Sequence, residues 1–179
     1  MKTRLQLMAL AVCCLTATAA AQDAAAPVSE ALRSAEQRAG RNLVAAAEEM
    51  PAGKYGFKPT PAQMSFGEVL GHLAGGNDFL CSAVSGVAAP KRSEVAKGAP
   101  KEKLVARLRE SFQFCETALA RLDDTDLGGQ VPFFGDRKIS RAQAILATAQ
   151  DWADHYSQLA IYLRLNGHLP PTAKGKQEE

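Results

Sequence analysis

Three side chains in this sequence have the types and spacing to hold a metal ion together. Asp151 and His155 lie four residues apart in "DWADHYSQLAIYL", a stretch with the periodicity of an amphipathic helix. Side chains four residues apart share a helix face, so this carboxylate and this imidazole should be neighbours. His72 lies in a separate apolar segment, "GEVLGHLAGGNDF". If the two helices pack side by side, the three groups can converge on one point.

Two imidazoles and one carboxylate form a three-ligand set that leaves coordination positions open for water or substrate. Such a set suits Zn, Ni, Fe(II) or Mn. Gln158 and Tyr162 follow His155 along the same edge of the helix and are candidates to orient a bound ligand or line a pocket. The alternative is structural: histidines that only make hydrogen bonds, and a tyrosine that belongs to the core.

Four segments with one apolar stripe each should form the helices that position these groups. They run approximately over residues 29–50, 65–87, 101–122 and 140–166. Residues 123–139 between the last two helices are expected to form a loop, in which "VPFFG" is a candidate short extended piece. Four helices of similar length predict an all-α four-helix bundle.

Residues with strong positional preferences mark the helix ends. Ser29 and Ser140 are predicted N-caps, and Ser65 with Glu68 forms the pattern of a capping box. Gly167 should end the last helix before two prolines.

Two glycines, Gly75 and Gly76, follow His72 inside the second helix. Glycine is less favourable than alanine there by about 1 kcal/mol per residue. We therefore expect either a close approach of another backbone or free space in front of the His72 ring.

The first 21 residues have the pattern of a secretory signal peptide. Lys2 and Arg4 precede an apolar run that ends in small residues, which predicts cleavage near Ala21. A lipoprotein anchored through Cys13 is the alternative. The mature chain, residues 22–179, would be one periplasmic or secreted domain with a disordered tail over residues 172–179.

Charge and hydropathy limit the partners of the mature chain. The full chain carries a net charge of +2, and the leader accounts for two positive charges, so the mature protein is nearly neutral. It has no basic stripe, so we expect no nucleic-acid binding, and no second apolar run that suggests a membrane span. Leu146 and Ile161 fall outside the apolar stripe of the last helix and are candidates for a homodimer surface.

Cys81 and Cys115 remain after the leader is removed. They could pair in an oxidising compartment. The interpretation we favour from the sequence is that each is a small apolar residue on a helix face.

Two stretches resemble the DinB/YfiT-like family: "FKPTPAQMSFGEVLGHLAGGNDFLC" and "DHYSQLAIYLRLNGHLPP". This resemblance covers the mature chain and implies a four-helix bundle with up-down-down-up topology. It also implies a divalent metal held by three histidines, of which His72 and His155 match two. The third falls on Asp151, a departure that leaves a site with two histidines and one aspartate, or a site that has lost its metal.

The resemblance suggests two classes of function. The first is a metal-dependent enzyme, a hydrolase or a transferase acting on a small molecule. Relatives include thiol-dependent transferases, but a secreted member would not meet cytosolic thiols, so we favour a hydrolase. The second is a non-catalytic helical module that binds a metal or ligand, or forms dimers. The sequence does not name the substrate or the metal, and it does not establish that the protein is an enzyme.

Overall fold

The computed structural model describes residues 26–93 and 95–174. The main elements are four long helices: α1 (Pro27–Glu49), α2 (Phe66–Ser85), α3 (Lys101–Leu119) and α4 (Arg141–Leu165). The four predicted helices are thus confirmed, with ends that agree to within about three residues. The predicted signal peptide and its cleavage site lie outside the described residues.

Helices α2 and α3 run side by side in the same direction. The Asn77 amide donates to the Ser111 hydroxyl, and one turn further along Cys81 meets Cys115. Both pairs are 34 residues apart in sequence, so the two helices keep one register along the contact. Parallel neighbours need a long connection, and fifteen residues, 86–100, separate the end of α2 from the beginning of α3.

Helix α4 packs antiparallel to α2. The Trp152 indole nitrogen donates to the Asn77 side-chain oxygen at 2.7 Å. Eleven residues earlier in α4, the Arg141 guanidinium donates to the backbone carbonyl of Val84, near the end of α2. Residues earlier in α4 therefore contact residues later in α2, as in any antiparallel pair of helices.

Helix α1 packs against α3 and α4 and is antiparallel to α3. The Arg33 guanidinium donates to the carbonyl of Leu119 at the end of α3, while the Lys101 ammonium at its beginning donates to the carbonyl of Glu48. Together with the parallel α2–α3 pair and the antiparallel α2–α4 pair, this gives the up-down-down-up topology. The all-α four-helix bundle expected from the sequence is confirmed.

The N-terminus of α1 differs from the prediction. Ala26, not Ser29, occupies the N-cap position, and it provides no side-chain cap. The cap comes from the α3–α4 loop, where the Asp124 carboxylate accepts hydrogen bonds from the backbone N–H groups of Val28 and Ser29 and from the Ser29 hydroxyl. Sequence spacing did not reveal this cap because the donor and acceptor residues are nearly 100 positions apart.

Cys81 and Cys115 form a disulfide between α2 and α3, with Cα atoms 5.2 Å apart. The favoured interpretation of two separate apolar cysteines was therefore wrong. Both residues are fully buried in the core, so the apolar character inferred from their helix faces was correct. The two cysteines can pair only if they lie at the same level along α2 and α3. That level depends on the parallel register of the two helices, which helix periodicity alone does not give.

The loop before α4 contains a two-stranded antiparallel sheet, β1 (Gln130–Pro132) with β2 (Lys138–Ser140). Its first strand overlaps the stretch that we expected to be extended. Ser140, the last residue of β2, caps α4, and Gln143 completes a capping box. The hairpin tip carries Phe134 over the end of α2, where it stacks on Phe79.

The C-terminal segment folds back onto the bundle instead of leaving it at residue 172. A short helix, α5 (Pro171–Lys174), is held by a hydrogen bond between the Tyr156 and Thr172 hydroxyls and by an ion pair between Lys174 and Glu49. The tail predicted to be disordered is thus ordered as far as Lys174. The remaining residues, 175–179, lie outside the described residues.

Candidate functional site

His72 lies on the side of α2 that faces α4, where its ring is next to His155. The predicted capping box is present: the Ser65 hydroxyl accepts from the Glu68 backbone N–H, and the Glu68 carboxylate accepts from the Ser65 N–H. This cap fixes where α2 begins and therefore which residues face outward. His72 is exposed, unlike His155, which is buried.

His155 is buried and held in one orientation by its own helix. Its Nδ1 lies 2.7 Å from the backbone carbonyl of Asp151. A carbonyl only accepts, so Nδ1 carries the proton and the lone pair of the neutral ring is on Nε2. Histidines that bind metals commonly use this arrangement, in which one nitrogen donates to a carbonyl and the other is free to ligate.

The two imidazoles meet, as predicted. The ring centroids of His72 and His155 are 5.3 Å apart and their planes are inclined by 36°. Two imidazoles on one tetrahedral zinc ion, with Zn–N bonds of about 2 Å, place their centroids about 5 Å apart. The spacing of this pair is therefore that of rings able to share an ion.

Asp151 lies beside the pair, but on the Nδ1 side of His155, where its Oδ1 is 3.5 Å from that nitrogen. Its Oδ2 is buried and has no hydrogen-bond partner. Burial raises the pKa of this carboxyl, and the neighbouring His155 and His72 act in the opposite direction. Within residues 26–93 and 95–174, no three His, Cys, Asp or Glu side chains are arranged to hold a common ion as they stand.

Gly76 lies next to this carboxylate. A Cβ atom at Gly76 would lie 3.7 Å from the Asp151 Oδ2, and one at Gly75 would have no neighbour within 4 Å. Of the two expectations for these glycines, free space near His72 is the one that the structure supports, since no other backbone approaches. The donor types and the unpartnered buried oxygen fit a divalent ion, although Asp151 must turn to complete the set.

Gln158 and Tyr162 are not on the same side of the histidine pair as Asp151. With His155 they line a separate cavity of about 400 Å³. The Tyr162 ring is buried, and its hydroxyl donates to the backbone carbonyl of Met64 at 2.8 Å. This agrees with the structural alternative for Tyr162, and burial raises the pKa of its hydroxyl.

A larger cavity of about 630 Å³ opens on the other side of the pair. His72 and Asp151 form one part of its wall, and the glycines of α2 lie along its floor. At the opposite part, Asp78 of α2 forms ion pairs with Arg107 of α3 and with Arg92 of the α2–α3 connection. The connecting segment covers one side of the cavity.

Asp78, Arg92 and Arg107 were not predicted from the sequence as site residues. Charged residues on helices and in linkers are usually solvent-exposed, and nothing in their spacing links the three. One signal was present: after the capping residue Glu68, Asp78 is the only charged residue of α2. A lone carboxylate in an otherwise apolar and glycine-rich helix indicates a buried polar contact.

No helix among the described residues combines the length and the apolar character that a membrane crossing requires.

Two features characterise this helical bundle. Helix α2 is parallel to α3 and antiparallel to α4, and a histidine pair lies between α2 and α4. A family model described as the DinB superfamily matches residues 36–159. The chain therefore belongs to the DinB superfamily, as the resemblance of its two sequence stretches had indicated.

Solved structures agree with this fold. The chain is similar to a DinB-like protein from Bacillus subtilis, with 18% identity and a TM-score of 0.62 over 77% of this chain and 92% of that one. It is also similar to a DinB-like protein from Bacillus cereus, with 15% identity and a TM-score of 0.66 over 79% and 95%. No curated protein matches the chain. At these identities the likeness concerns the fold alone.

Proposed function

We propose that this DinB superfamily protein binds a divalent metal ion through His72, Asp151 and His155. The observation that carries the proposal is the histidine pair, with ring centroids 5.3 Å apart, next to a buried carboxylate oxygen without a partner. An unpartnered buried polar atom is unfavourable by about 1–3 kcal/mol. A cation bound beside Asp151 would remove that penalty.

The protein's own residues have distinct tasks in such a site. The Asp151 backbone carbonyl holds the His155 ring so that its Nε2 lone pair is presented, while the exposed His72 ring adjusts to complete the geometry. When bound, the ion would lower the pKa of a coordinated water or polarise a substrate oxygen. A site of two histidines and one carboxylate favours Zn, Ni, Fe(II) or Mn.

A hydrolase acting on a small molecule is the reaction class that we propose for the 630 Å³ cavity. The compartment supports it over thiol transfer. The signal-peptide pattern of residues 1–21 and the Cys81–Cys115 disulfide are both typical of proteins in oxidising, extracytoplasmic compartments. We therefore propose that the mature protein acts in the periplasm or outside the cell.

Metal content tests the proposal directly. Residues 22–179 would be purified without an affinity tag, incubated with Zn, Ni, Fe(II) or Mn, dialysed, and analysed by elemental mass spectrometry. We expect about one ion per chain for the wild type and loss of that ion in His155→Ala. His168→Ala is the matched control, because His168 pairs with Glu49 away from the cavity and its loss should leave the metal in place. No ion in the wild type would refute the metal site.

A non-catalytic binding module is the second candidate, and the position of Asp151 favours it. Its carboxylate contacts the protonated side of His155, and the donors are not preassembled. Asp151→His, which creates three histidines, tests whether Asp151 is a ligand. If Asp151 is a ligand, the change alters metal affinity about tenfold or more. Unchanged affinity would show that Asp151 does not ligate, which leaves the two histidines alone.

A homodimer stays a prediction. Leu146 and Ile161 are 63% and 54% exposed, as expected for residues outside the apolar stripe of α4. Single exposed apolar residues are common on monomers. Light scattering after size exclusion of the wild type and of Leu146→Glu would test the contact, since a dimer held by this face should dissociate in the variant.

A further inference from the structure

The four buried side-chain atoms without a hydrogen-bond partner among the described residues all belong to one cavity. They are Oδ1 of Asp78, Nε of Arg92, NH1 of Arg107 and Oδ2 of Asp151, and each of these residues lines the 630 Å³ cavity. Folded proteins satisfy nearly all of their buried polar groups, so exceptions require an explanation. The Asp151 oxygen belongs to the proposed metal site, and the other three atoms indicate that a second group binds in the cavity.

Three of these atoms lie together at the Asp78 end of the cavity. The Asp78 Oδ2 pairs with the Arg107 NH2 and lies 3.4 Å from the Arg92 Nε, which leaves Oδ1 as an unused acceptor. The Arg107 NH2 also donates to the carbonyl of Ala74, so NH1 is the unused donor of a guanidinium that is already fixed. Glu110 holds the Arg92 NH1. One donor and one acceptor of this ion-paired cluster are thus unused.

The rest of the cavity limits the shape and charge of its ligand. Its charged lining residues balance, with three cations and three anions: Arg92, Lys97, Arg107, Glu68, Asp78 and Asp151. Balanced charge favours a ligand without net charge. The stacked rings of Phe79 and Phe134, with centroids 4.6 Å apart, give an apolar wall, and Gly75 leaves the floor open.

We propose that the cavity binds the zwitterionic group of an α-amino acid, with the carboxylate on Arg107 and the ammonium on Asp78. The carboxylate accepts from the unused Arg107 NH1, while the ammonium donates to the unused Asp78 Oδ1. The side chain then lies on the glycine floor, beside Phe79 and Phe134. The zwitterion is neutral overall, which matches the equal numbers of cationic and anionic residues in the lining.

This binding does not need the metal. Only the view that the bound amino acid, or a derivative of it, is the substrate rests on the proposed function. The two ideas therefore fail separately. If the protein binds metal but no amino acid, this inference alone is wrong. If it binds an amino acid but no metal, the metal site alone is wrong.

The ligand series that tests it keeps one apolar side chain and changes the polar end. Phenylalanine, 3-phenylpropanoate and 2-phenylethylamine would be titrated calorimetrically into chelator-treated residues 22–179. We expect phenylalanine to bind about tenfold or more tightly than either single-charge analogue, because each lacks one charged hydrogen bond. A panel of other free amino acids would be titrated in parallel, to identify the preferred side chain.

Variants test the assigned residues. Arg107→Gln and Asp78→Asn should each weaken amino-acid binding about tenfold or more. Arg109→Gln is the matched control on the same helix: Arg109 pairs with Glu48 on the bundle exterior, and its loss should leave binding unchanged. If Arg107→Gln does not fold, the ligand series on the wild type still decides the question.

Two results would overturn the proposal. One is no binding of any free amino acid at millimolar concentration. The other is equal binding of 3-phenylpropanoate and phenylalanine, which would show a simple carboxylate site in which Asp78 only positions the arginines.

Discussion

Asn77 and Asp78 are consecutive buried residues of α2 that have opposite hydrogen-bonding environments. Asn77 faces the core, where it accepts from the Trp152 indole at 2.7 Å and donates to the Ser111 hydroxyl at 2.9 Å. The Ser111 hydroxyl in turn donates to the carbonyl of Leu108. Asp78 faces the cavity, where one of its oxygens has no partner and its arginine partners have unused donors.

The Asn77 network holds the helices together, whereas the Asp78 cluster lines the cavity that we propose binds a ligand. A satisfied buried network links three helices and fixes their relative register, because any slip would leave its members without partners. The Asp78 cluster also links α2 to α3, but its unused atoms are unfavourable until a ligand completes it. The first should respond to mutation mainly through stability, and the second mainly through binding.

The largest expected effect is on the core side, at the disulfide one turn beyond Asn77. The bond closes a loop with a sequence separation of 34, for which loop entropy predicts a loss of about 4 kcal/mol on removal. Cys81→Ala with Cys115→Ala should lower the free energy of unfolding by that amount in urea titrations. A loss below about 1 kcal/mol would show that the α2–α3 contact is held by packing alone.

The comparison itself is tested by substituting the two neighbours. Asn77→Ala leaves the Trp152 N–H without its acceptor in the core, so we expect a loss of about 3 kcal/mol in the free energy of unfolding. Asp78→Asn keeps the shape and an acceptor but removes the charge that pairs with Arg107 and Arg92, so we expect a smaller loss of about 1–2 kcal/mol. Thermal and urea unfolding of both variants would check this. Equal losses would contradict the division into core and cavity roles.

Glu36 in α1 is a buried acid that belongs to neither the Asn77 network nor the Asp78 cluster, and its pKa is strongly raised. Burial, and then the charge of Glu116, raise its pKa from 4.5 to about 7. The folded state therefore binds more protons than the unfolded state between these values. The stabilising effect of the neutral acid is complete below pH 4.5 and is lost as the pH rises through 7.

Glu36→Gln should accordingly stabilise the protein by about 2 kcal/mol at pH 8 and by much less at pH 5. Urea titrations of the wild type and the variant at both pH values would check this. A gain that does not depend on pH would show that Glu36 stays ionised when folded. In contrast to the cavity cluster, substitution at Glu36 should not affect ligand binding.

The sequence predicted those features that depend on contacts along one helix. The capping boxes at Ser65 and Ser140 and the positions of the four helices follow from local spacing. The proximity of His72 and His155 followed from helix edges and from the family resemblance. Features that depend on the register between helices were not predictable from periodicity: the disulfide, the Asp124 cap and the ion pairs of Asp78. The orientation of Asp151 also depends on rotamers that spacing does not determine.

The smallest expected effect concerns the glycines that line the cavity. The sequence predicted either a close backbone or free space beside Gly75, and the structure has free space there. A Cβ at Gly75 meets no atom within 4 Å, so Gly75→Ala should stabilise the helix by up to about 1 kcal/mol. At Gly67 the same change brings a Cβ to 3.3 Å from the Tyr55 carbonyl oxygen, which cannot easily move, so Gly67→Ala should destabilise. Thermal melts of the pair would check the opposite signs. If Gly75→Ala stabilises the chain and also weakens phenylalanine binding, the glycine is needed to leave space for the ligand and is not needed for folding. If it stabilises without affecting any ligand, the open floor has no role in binding.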